Sequence, residues 1–528
     1  EGLIVEESLL NEYQSQINQI LKVSFDHLSP ASVKKCFAYC SIFPQDTELG
    51  EDELIQHWVA EGFVLPDQKN NRVMEETGGK YLRILLQNSL LEKVEDEGST
   101  YYKMHDLGGV STDMLLRFKH LHVLRLSGDD VKFLPSSIGK LLSLRLLDIS
   151  SSGIRSLPES LCKLYNLQTL TMSNGGFPKR MSDLISLRHL NYYHDDAEFK
   201  MPAQMGLLTC LQTLEFFNVS QERGHGIEEL GTLKYLKGSL HIRNLGLVKG
   251  KEAAKQAKLF EKPDLSRLVF EWESGDRKSD NRDEDVLEGL QPPPNLQRLE
   301  IHSFMGNKFP QWLINLSKLE ELEIEDCKRC SELPSLGQLP SLKRLSLMCL
   351  DNIRFIGDEF YGQIWGIWLS GRMQTVGEAE ADVFPLLSYF RIQSCPQLTA
   401  LPDLDLFGSS LQRLTIDRCP RLISLGETPS LEEFTLVDCP KLLPHSFKGF
   451  AFATSLRELS INRIRVLPDW SGNLVSLETL ELSNCDKLQS LPPEAAMRRL
   501  TKLNHVEVYW CPLLRQRYTP QRGIYLEE

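Results

Sequence analysis

Hydrophobic positions recur at a regular spacing along most of this 528-residue chain. Fifteen segments match L-x-x-L-x-L, and 11 of the 14 intervals between their first leucines are 20 to 26 residues long. Because side chains of a strand alternate between two faces, each segment predicts a short β-strand with one buried face. The first leucines are Leu121, Leu144, Leu167, Leu187, Leu211, Leu265, Leu296, Leu319, Leu342, Leu387, Leu411, Leu431, Leu456, Leu477 and Leu503.

A unit of this length cannot fold by itself. Burying three aliphatic side chains contributes roughly 5 to 9 kcal/mol, whereas ordering twenty-odd residues costs at least about 20 kcal/mol of backbone entropy. The period is that of the leucine-rich repeat, whose units share a core with their neighbours. The pattern therefore predicts an α/β solenoid over residues 111–528, a horseshoe of about 15–16 repeats with a parallel β ladder on its concave face. Segments near 273–285 and 362–381 break the period and are predicted surface loops.

Residues 1–110 have a different pattern. Apolar residues recur at helical spacing after Ser29-Pro30, around Leu54 to Val59, and from Met74 to Asn88. The segments "SLLEKV" and "TYYKMH" then flank the turn "EDEGS", which indicates a hairpin. Three helices followed by a hairpin predict a small α+β winged-helix domain.

Charge argues against the usual role of a winged helix in nucleic-acid binding. Residues 1–110 contain 9 Lys and Arg against 19 Asp and Glu, and the whole chain has a formal charge of −13. Affinity for phosphate backbones depends on Lys and Arg, so no nucleic-acid partner is expected. The sequence contains no run of about 18 apolar residues, so it predicts no membrane span.

The twelve cysteines indicate a reducing compartment rather than a disulfide framework. Six of them follow a repeat's first leucine by eight residues, where a small side chain packs inside the turn that leaves the strand. These are Cys327, Cys395, Cys419, Cys439, Cys485 and Cys511. Cys327-x-x-Cys330 has no second ligand pair at zinc spacing, so we expect no metal.

The ordered motifs "LKVSFDHLSPASVKKCFAYCSIFPQD", "ELIQHWVAEGFV", "YLRILLQNSLLEKV" and "YYKMHDL" resemble the winged helix of plant nucleotide-binding leucine-rich-repeat (NB-ARC/LRR) disease resistance proteins, most closely the coiled-coil subclass. The resemblance implies an intracellular innate immune receptor, cytoplasmic with the nucleus as a second location. Its repeats would sense a pathogen effector or a guarded host protein. Its winged helix would help control an ADP/ATP switch together with an upstream nucleotide-binding domain.

The same resemblance assigns a role to the Met-His-Asp motif. His105 would contact the phosphate of ADP, Asp106 would support the inactive packing, and Met104 would anchor the strand. From the residues alone, a hairpin end capped by the histidine is the favoured interpretation. This chain contains no G-x-x-x-x-G-K-[ST] phosphate loop. ADP or ATP is therefore expected only in a full-length receptor with an upstream phosphate loop, and none for this chain alone.

Alternation places residues two, four and six after each first leucine on the concave face. Exposed aromatic and arginine side chains there are typical interface anchors, and three glutamates on one strand favour a basic patch on a protein partner. The predicted protein-binding residues are Tyr193, Phe217, Glu321, Glu323, Glu325, Tyr389, Arg391 and Tyr509. A truncated adaptor or decoy without nucleotide switching is the alternative function. An enzyme is not expected, since no G-x-S-x-G, H-E-x-x-H or paired-carboxylate pattern occurs.

Overall fold

The structure is a computed structural model. It describes residues 28–40, 49–64, 74–87, 91–96, 99–103, 121–127, 132–173, 175–192, 201–273, 282–356, 360, 384–401, 410–425, 431–442, 455–467, 471, 473–492 and 494–517. These residues form two compact units, divided as Glu1–Asp196 with Leu207–Thr213 and Ala197–Gly206 with Leu214–Glu528. No helix among the described residues is long and apolar enough to cross a membrane.

The winged-helix elements appear where the sequence predicts them. Helices α1 (Ala31–Cys40), α2 (Glu51–Ala60) and α3 (Met74–Gln87) are followed by strands β1 (Glu92–Asp96) and β2 (Ser99–Lys103), which pair antiparallel. Their shared core is centred on fully buried side chains from all three helices, including Val33, Cys36, Leu54, Trp58 and Leu85. The three helical stripes predicted from apolar spacing are thus confirmed.

One of two consecutive glycines in α3, Gly78, allows α2 and α3 to pack closely. A Cβ atom at Gly78 would lie 2.5 Å from the Cγ2 atom of Ile55, whereas the nearest atom to a Cβ at Gly79 is 3.7 Å away. Gly78 therefore serves helix packing, whereas Gly79 does not require the absence of a side chain.

The first unit continues from the hairpin into repeats. Its sheet is parallel, in the order β3-β4-β5-β6-β7. A short 3₁₀ turn opposite the strands begins after Pro135 in one repeat and after Pro158 in the next, since proline presets the entry into such a turn and lacks an amide proton. The strands are β3 (Val123–Arg125), β4 (Leu146–Asp148), β5 (Thr169–Met172), β6 (His189–Tyr192) and β7 (Thr213–Leu214).

The second unit contains a twelve-stranded sheet in which every strand pairs with its sequence neighbour, in parallel. Leucine, isoleucine, valine and phenylalanine at the second and fourth strand positions form a continuous core. The predicted solenoid is confirmed. The strands are β8 (Phe216–Asn218), β9 (Gly238–Arg243), β10 (Leu265–Glu271), β11 (Arg298–His302), β12 (Glu321–Glu325), β13 (Arg344–Met348), β14 (Tyr389–Gln393), β15 (Arg413–Asp417), β16 (Glu433–Val437), β17 (Glu458–Asn462), β18 (Thr479–Ser483) and β19 (His505–Tyr509).

Each of the six cysteines predicted at a strand exit is buried. In all six of these repeats the residue before the cysteine has a left-handed backbone, for example Asp326 at φ 54° and Asn484 at φ 52°. The Cys485 thiol then donates to the carbonyl of Ser483 at 3.3 Å. Burial raises the pKa of Cys485 to about 12, so this thiol packs as a neutral side chain.

The predicted irregular segments have a mixed outcome. The long interval between Leu211 and Leu265 contains an additional repeat strand, β9, and a short helix, α4 (Lys251–Lys255). The prediction of a loop over residues 273–285 is wrong at its C-terminal end, because helix α5 begins at Arg282 and runs to Gly289. Acidic residues 283–285 form its first turn, where carboxylates stabilise the helix dipole, while Val286 and Leu287 are buried. Residues 362–381 lie outside the described residues. Two short helices, α6 (Glu494–Met497) and α7 (Pro512–Arg517), flank the last strand.

Candidate functional site

The winged helix contacts the first repeats through a buried carboxylate. Glu75, in the first turn of α3, accepts hydrogen bonds from the Arg188 guanidinium, with the Nη2 atom 2.7 Å from Oε1 and 2.8 Å from Oε2. His189 Nε2 lies 3.3 Å from the same Oε1, and His189 Nδ1 lies 3.0 Å from the Thr213 hydroxyl. The side chains of Glu75 and His189 are 9% and 4% exposed. Residues more than 110 positions apart thus form one buried polar cluster.

The electrostatics of this cluster keep Glu75 charged. Burial alone would raise its pKa, but the hydrogen bond from His189 and the charge of Arg188 outweigh burial and lower the pKa to about 2. A buried carboxylate is tolerated only when it is paired and hydrogen-bonded. Arg188 and His189 meet that requirement.

A second line of contacts joins α2 to the repeats. The Arg145 guanidinium donates to the carbonyl oxygen of Ala60 at 3.0 Å, which satisfies a carbonyl at the end of the helix. Arg125 pairs with Asp148 at 2.9 Å and also with Glu53 in the first turn of α2. His122 lies 3.5 Å from Glu61. The winged helix and the first repeats are therefore joined by polar contacts from two helices.

These contacts bear on the DNA-binding alternative. Helix α3 occupies the position at which a DNA-binding winged helix presents its recognition surface. Here the first turn of α3 contacts the repeats through Glu75. In this conformation that turn is covered and cannot enter a DNA groove.

The predicted nucleotide-contacting residues Met104, His105 and Asp106 lie outside the described residues. The strand that leads to them, β2, ends at Lys103, and the buried Tyr102 pairs with Leu49 through two backbone hydrogen bonds. The role of His105 in ADP binding stays a prediction.

The concave face of the second unit consists of side chains at the first, third and fifth positions of its five-residue strands. Glu321, Glu323 and Glu325 lie there on β12, each half-buried, as do Tyr389 and Arg391 on β14. Tyr509 on β19 is also half-buried, and its hydroxyl donates to Glu507 at 2.9 Å. Along β12 and β14 these side chains alternate with buried core positions, and the role of all six in protein binding stays a prediction.

Two predicted concave aromatic residues have other outcomes. Tyr193 lies outside the described residues. Phe217 does not face the concave surface: it is 1% exposed and pairs in register with the core residue Ile242. The strand is interrupted at Glu215 between β7 and β8, and this one-residue shift exchanges the two faces. Phe216 takes the position beside His241, with the Arg243 guanidinium 5.1 Å from its ring centre.

Alternating charges connect the middle strands of the concave face. Glu300 accepts from Arg267 at 2.8 Å and from Arg298 at 2.9 Å. Arg298 also lies 3.1 Å from Glu321, which is 3.6 Å from Arg344. Most of the arginine charge on β10, β11 and β13 is therefore compensated within the chain.

His302 on β11 lies among three carboxylates. Its Nε2 atom is 3.4 Å from Glu323, 3.8 Å from Glu300 and 3.9 Å from Glu325. Burial lowers the pKa of His302, but the contact with Glu323 and the neighbouring carboxylates outweigh it and raise the pKa above its usual value.

Glu300, His302 and Glu323 have ligand atoms within 4.8 Å of one another, a spacing that could hold a metal ion. The two arginines that donate hydrogen bonds to Glu300 would repel a further cation at that carboxylate. The arrangement therefore fits an imidazolium at His302 better than a metal.

Sequence reasoning did not find Glu75 and Arg188 as partners. Glu75 was visible only as part of an acidic helix start, which is common on solvated helices. Arg188 lies directly after a first leucine, outside the three predicted concave positions. No local pattern in the sequence signals a contact of this range.

Comparisons with known proteins agree with both parts of the chain. Residues 42–108 match the family model described as the disease resistance protein winged helix domain, and residues 227–350 match R13L1/DRL21 leucine-rich repeats. Disease resistance protein RGA2 of Solanum bulbocastanum is 31% identical over 92% of this chain and 52% of its own length. Disease resistance RPP13-like protein 1 of Arabidopsis thaliana is 30% identical over 90% of this chain and 53% of its own length. The chain spans about half the length of these curated relatives.

Solved structures with a similar chain path are repeat proteins and receptors. A leucine-rich-repeat protein of Leptospira interrogans is 21% identical with a TM-score of 0.38, covering 79% of this chain and 86% of that one. A TDR receptor is 16% identical with a TM-score of 0.39, covering 75% and 66%. The repeat architecture itself rests on the strand ladder.

Proposed function

We propose that this chain, which belongs to the plant disease resistance protein family and carries its winged-helix domain, is the regulatory and sensing portion of an intracellular plant immune receptor. Its repeats recognise a pathogen effector or a guarded host protein. Its winged helix takes part in an ADP/ATP switch with an upstream nucleotide-binding domain. Its role is binding and signalling rather than catalysis.

The buried cluster of Glu75, Arg188 and His189 is the observation that best supports a regulatory role. It joins the winged helix to the repeats through charges that are stable only while both partners are in place. A ligand that shifts the first repeats would therefore alter the packing of α3. A local contact of this kind couples two elements whose equilibrium a ligand can bias.

His105 is the proposed contact between the winged helix and bound ADP. A hydrogen bond to a charged phosphate contributes roughly 1.5 to 3 kcal/mol, which biases one nucleotide state over the other by roughly 10- to 150-fold. A contact of that strength is sufficient for a switch. It requires the nucleotide-binding domain of a full-length receptor.

The test is a His105→Ala substitution in the full-length receptor. We expect the purified receptor to retain less ADP and to trigger the defence response without a pathogen signal. Glu76→Ala is the matched control, because Glu76 is an exposed carboxylate of the same domain. Unchanged nucleotide content together with unchanged signalling would remove His105 from the switch.

The absence of a phosphate-loop motif from these 528 residues keeps one alternative open, a repeat adaptor or decoy without nucleotide switching. A pull-down of this chain with full-length receptors distinguishes the two functions. Stable association combined with a silent His105→Ala variant would favour the adaptor.

A further inference from the structure

A recess on the concave face has a carboxylate on one side and a guanidinium on the other. Glu323 on β12 is in register with Ser346 on β13, which is in register with Arg391 on β14. Because the short Ser346 lies between two long charged side chains, the surface is hollow at this point. The recess has a volume of about 200 Å³, and Arg344 and Tyr389 also line it.

The carboxylate side of the recess is only partly compensated. Glu321 is engaged by Arg298 and Arg344. Within the described residues, the ion pair of Glu323 is with His302 alone, at 3.4 Å. The His302 contact and nearby arginines lower the pKa of Glu323, so this carboxylate is charged at neutral pH.

The other side of the recess is formed by the guanidinium of Arg391. Arg391 forms no ion pair with a carboxylate among the described residues, and its Nη2 atom contacts the amide oxygen of Gln393. Its Nε atom is buried without a hydrogen-bond acceptor. A buried donor without an acceptor is unfavourable, and a carboxylate is the strongest acceptor for a guanidinium. This side of the recess therefore fits an acidic group.

We propose that this recess is a docking point for a protein segment that presents a basic side chain to Glu323 and an acidic side chain to Arg391. The two groups lie two strand spacings apart, about 10 Å. Residues i and i+7 of a helix lie on one face and are also about 10 Å apart. A helix lying across the strands would thus meet both sides at once. This inference rests on the proposed function, in which the concave face binds a protein.

Other ligand classes fit this recess less well. The ammonium and carboxylate of a free amino acid are too close together to reach both sides. A polyanion such as a nucleic acid would meet Glu321 and Glu323 as well as the arginines. The opposed charges of the recess favour a ligand that carries one basic and one acidic group over a ligand whose charges all have the same sign.

The probe is an end-blocked helical peptide of about 18 residues, rich in alanine and glutamine, with Lys and Glu seven positions apart. Three companions carry two Gln, two Lys or two Glu at the same positions. Binding to the whole chain is measured by fluorescence polarisation. We expect the Lys/Glu peptide to bind more tightly than the Gln/Gln peptide by roughly two- to fivefold for each charge. The difference should shrink in high salt, because salt screens exposed charges.

Variants of the recess should change peptide preference rather than abolish binding of all peptides. Arg391→Glu makes both sides acidic and should make Lys/Lys the preferred peptide. Glu323→Arg makes both sides basic and should make Glu/Glu preferred. Ser346→Gln fills the recess without changing its charge and should remove the Lys/Glu advantage. Arg457→Gln and Glu458→Gln, exposed and outside the recess, are the matched controls and should leave the preference unchanged.

The outcomes separate this inference from the proposed function. If all four peptides bind the chain alike and neither charge reversal changes their order, the recess inference is overturned while protein binding by the concave face still stands. If the peptide preferences reverse as expected but Arg391→Glu leaves defence signalling of the full-length receptor intact, the recess is supported and its use in sensing is overturned.

Discussion

At the scale of single residues, His302 has the most informative environment on the concave face. Three carboxylates lie within 4 Å of its imidazole, and their combined effect outweighs burial. A histidine whose folded-state pKa is raised stabilises the fold in its protonated form. That stabilisation is complete below the unfolded pKa and is lost as pH rises through the folded value.

We therefore predict that His302→Gln destabilises the protein more at pH 6 than at pH 8.5. The loss should be on the order of 1 kcal/mol at the lower pH, as for a partly exposed ion pair. Denaturant unfolding of wild type and variant at the two pH values measures it. His505→Gln is the control, because His505 pairs with Glu507 while largely exposed and should matter little at either pH. An equal loss at both pH values for His302→Gln would contradict the assigned charge.

At the scale of elements, the close approach of α2 and α3 depends on one of two adjacent glycines. The space at Gly78 is filled by Ile55, while Gly79 has room for a methyl group. Both glycines lie inside α3, where glycine is a poor helix former. The same substitution is therefore expected to have opposite effects at neighbouring positions.

Gly78→Ala should destabilise the winged helix by about 1 to 3 kcal/mol, because the new methyl group forces Ile55 and the helices apart. Gly79→Ala should be neutral or stabilising by up to about 1 kcal/mol, because alanine favours the helix. Thermal unfolding monitored by circular dichroism compares the two variants. If both variants lost stability equally, close helix packing would not be the reason for Gly78.

At the scale of the whole molecule, the described residues of the winged helix and the first repeats form one compact unit. Glu75 is the link whose removal is easiest to interpret. Without it, Arg188 would remain largely buried without its carboxylate. Leaving one charge of a buried pair without its partner strongly destabilises a protein.

Glu75→Ala should cost roughly 3 to 5 kcal/mol and expose both α3 and the strand β6 to solvent exchange. Hydrogen-exchange mass spectrometry of peptides from these two elements tests the coupling. Glu76→Ala, the exposed neighbour, should change stability by less than about 0.5 kcal/mol. Increased exchange confined to α3 in Glu75→Ala would show that the repeats do not depend on this contact.

The local elements followed from the sequence because each is encoded by its own periodicity. The three helices, the hairpin and the strand ladder were predicted from apolar spacing, and the buried cysteines at strand exits from their fixed distance to the leucines. These features depend on residues within one or two turns or strands. The orientation predicted for Phe217 was wrong for the same reason. A repeat template assumes an unbroken strand, and the leucine pattern does not encode the interruption at Glu215.

The sequence by itself therefore determined the winged helix, the repeat solenoid and which strand positions alternate between core and concave face. Only the tertiary structure decided which charges meet: Glu75 with Arg188, 113 positions apart, and His302 among carboxylates of two strands. The physical reason is that the two kinds of feature depend on residues at different distances along the chain. Burial patterns are local and repeat with the backbone geometry, whereas the pairing of charges depends on how many units separate two elements and on how the chain turns between them.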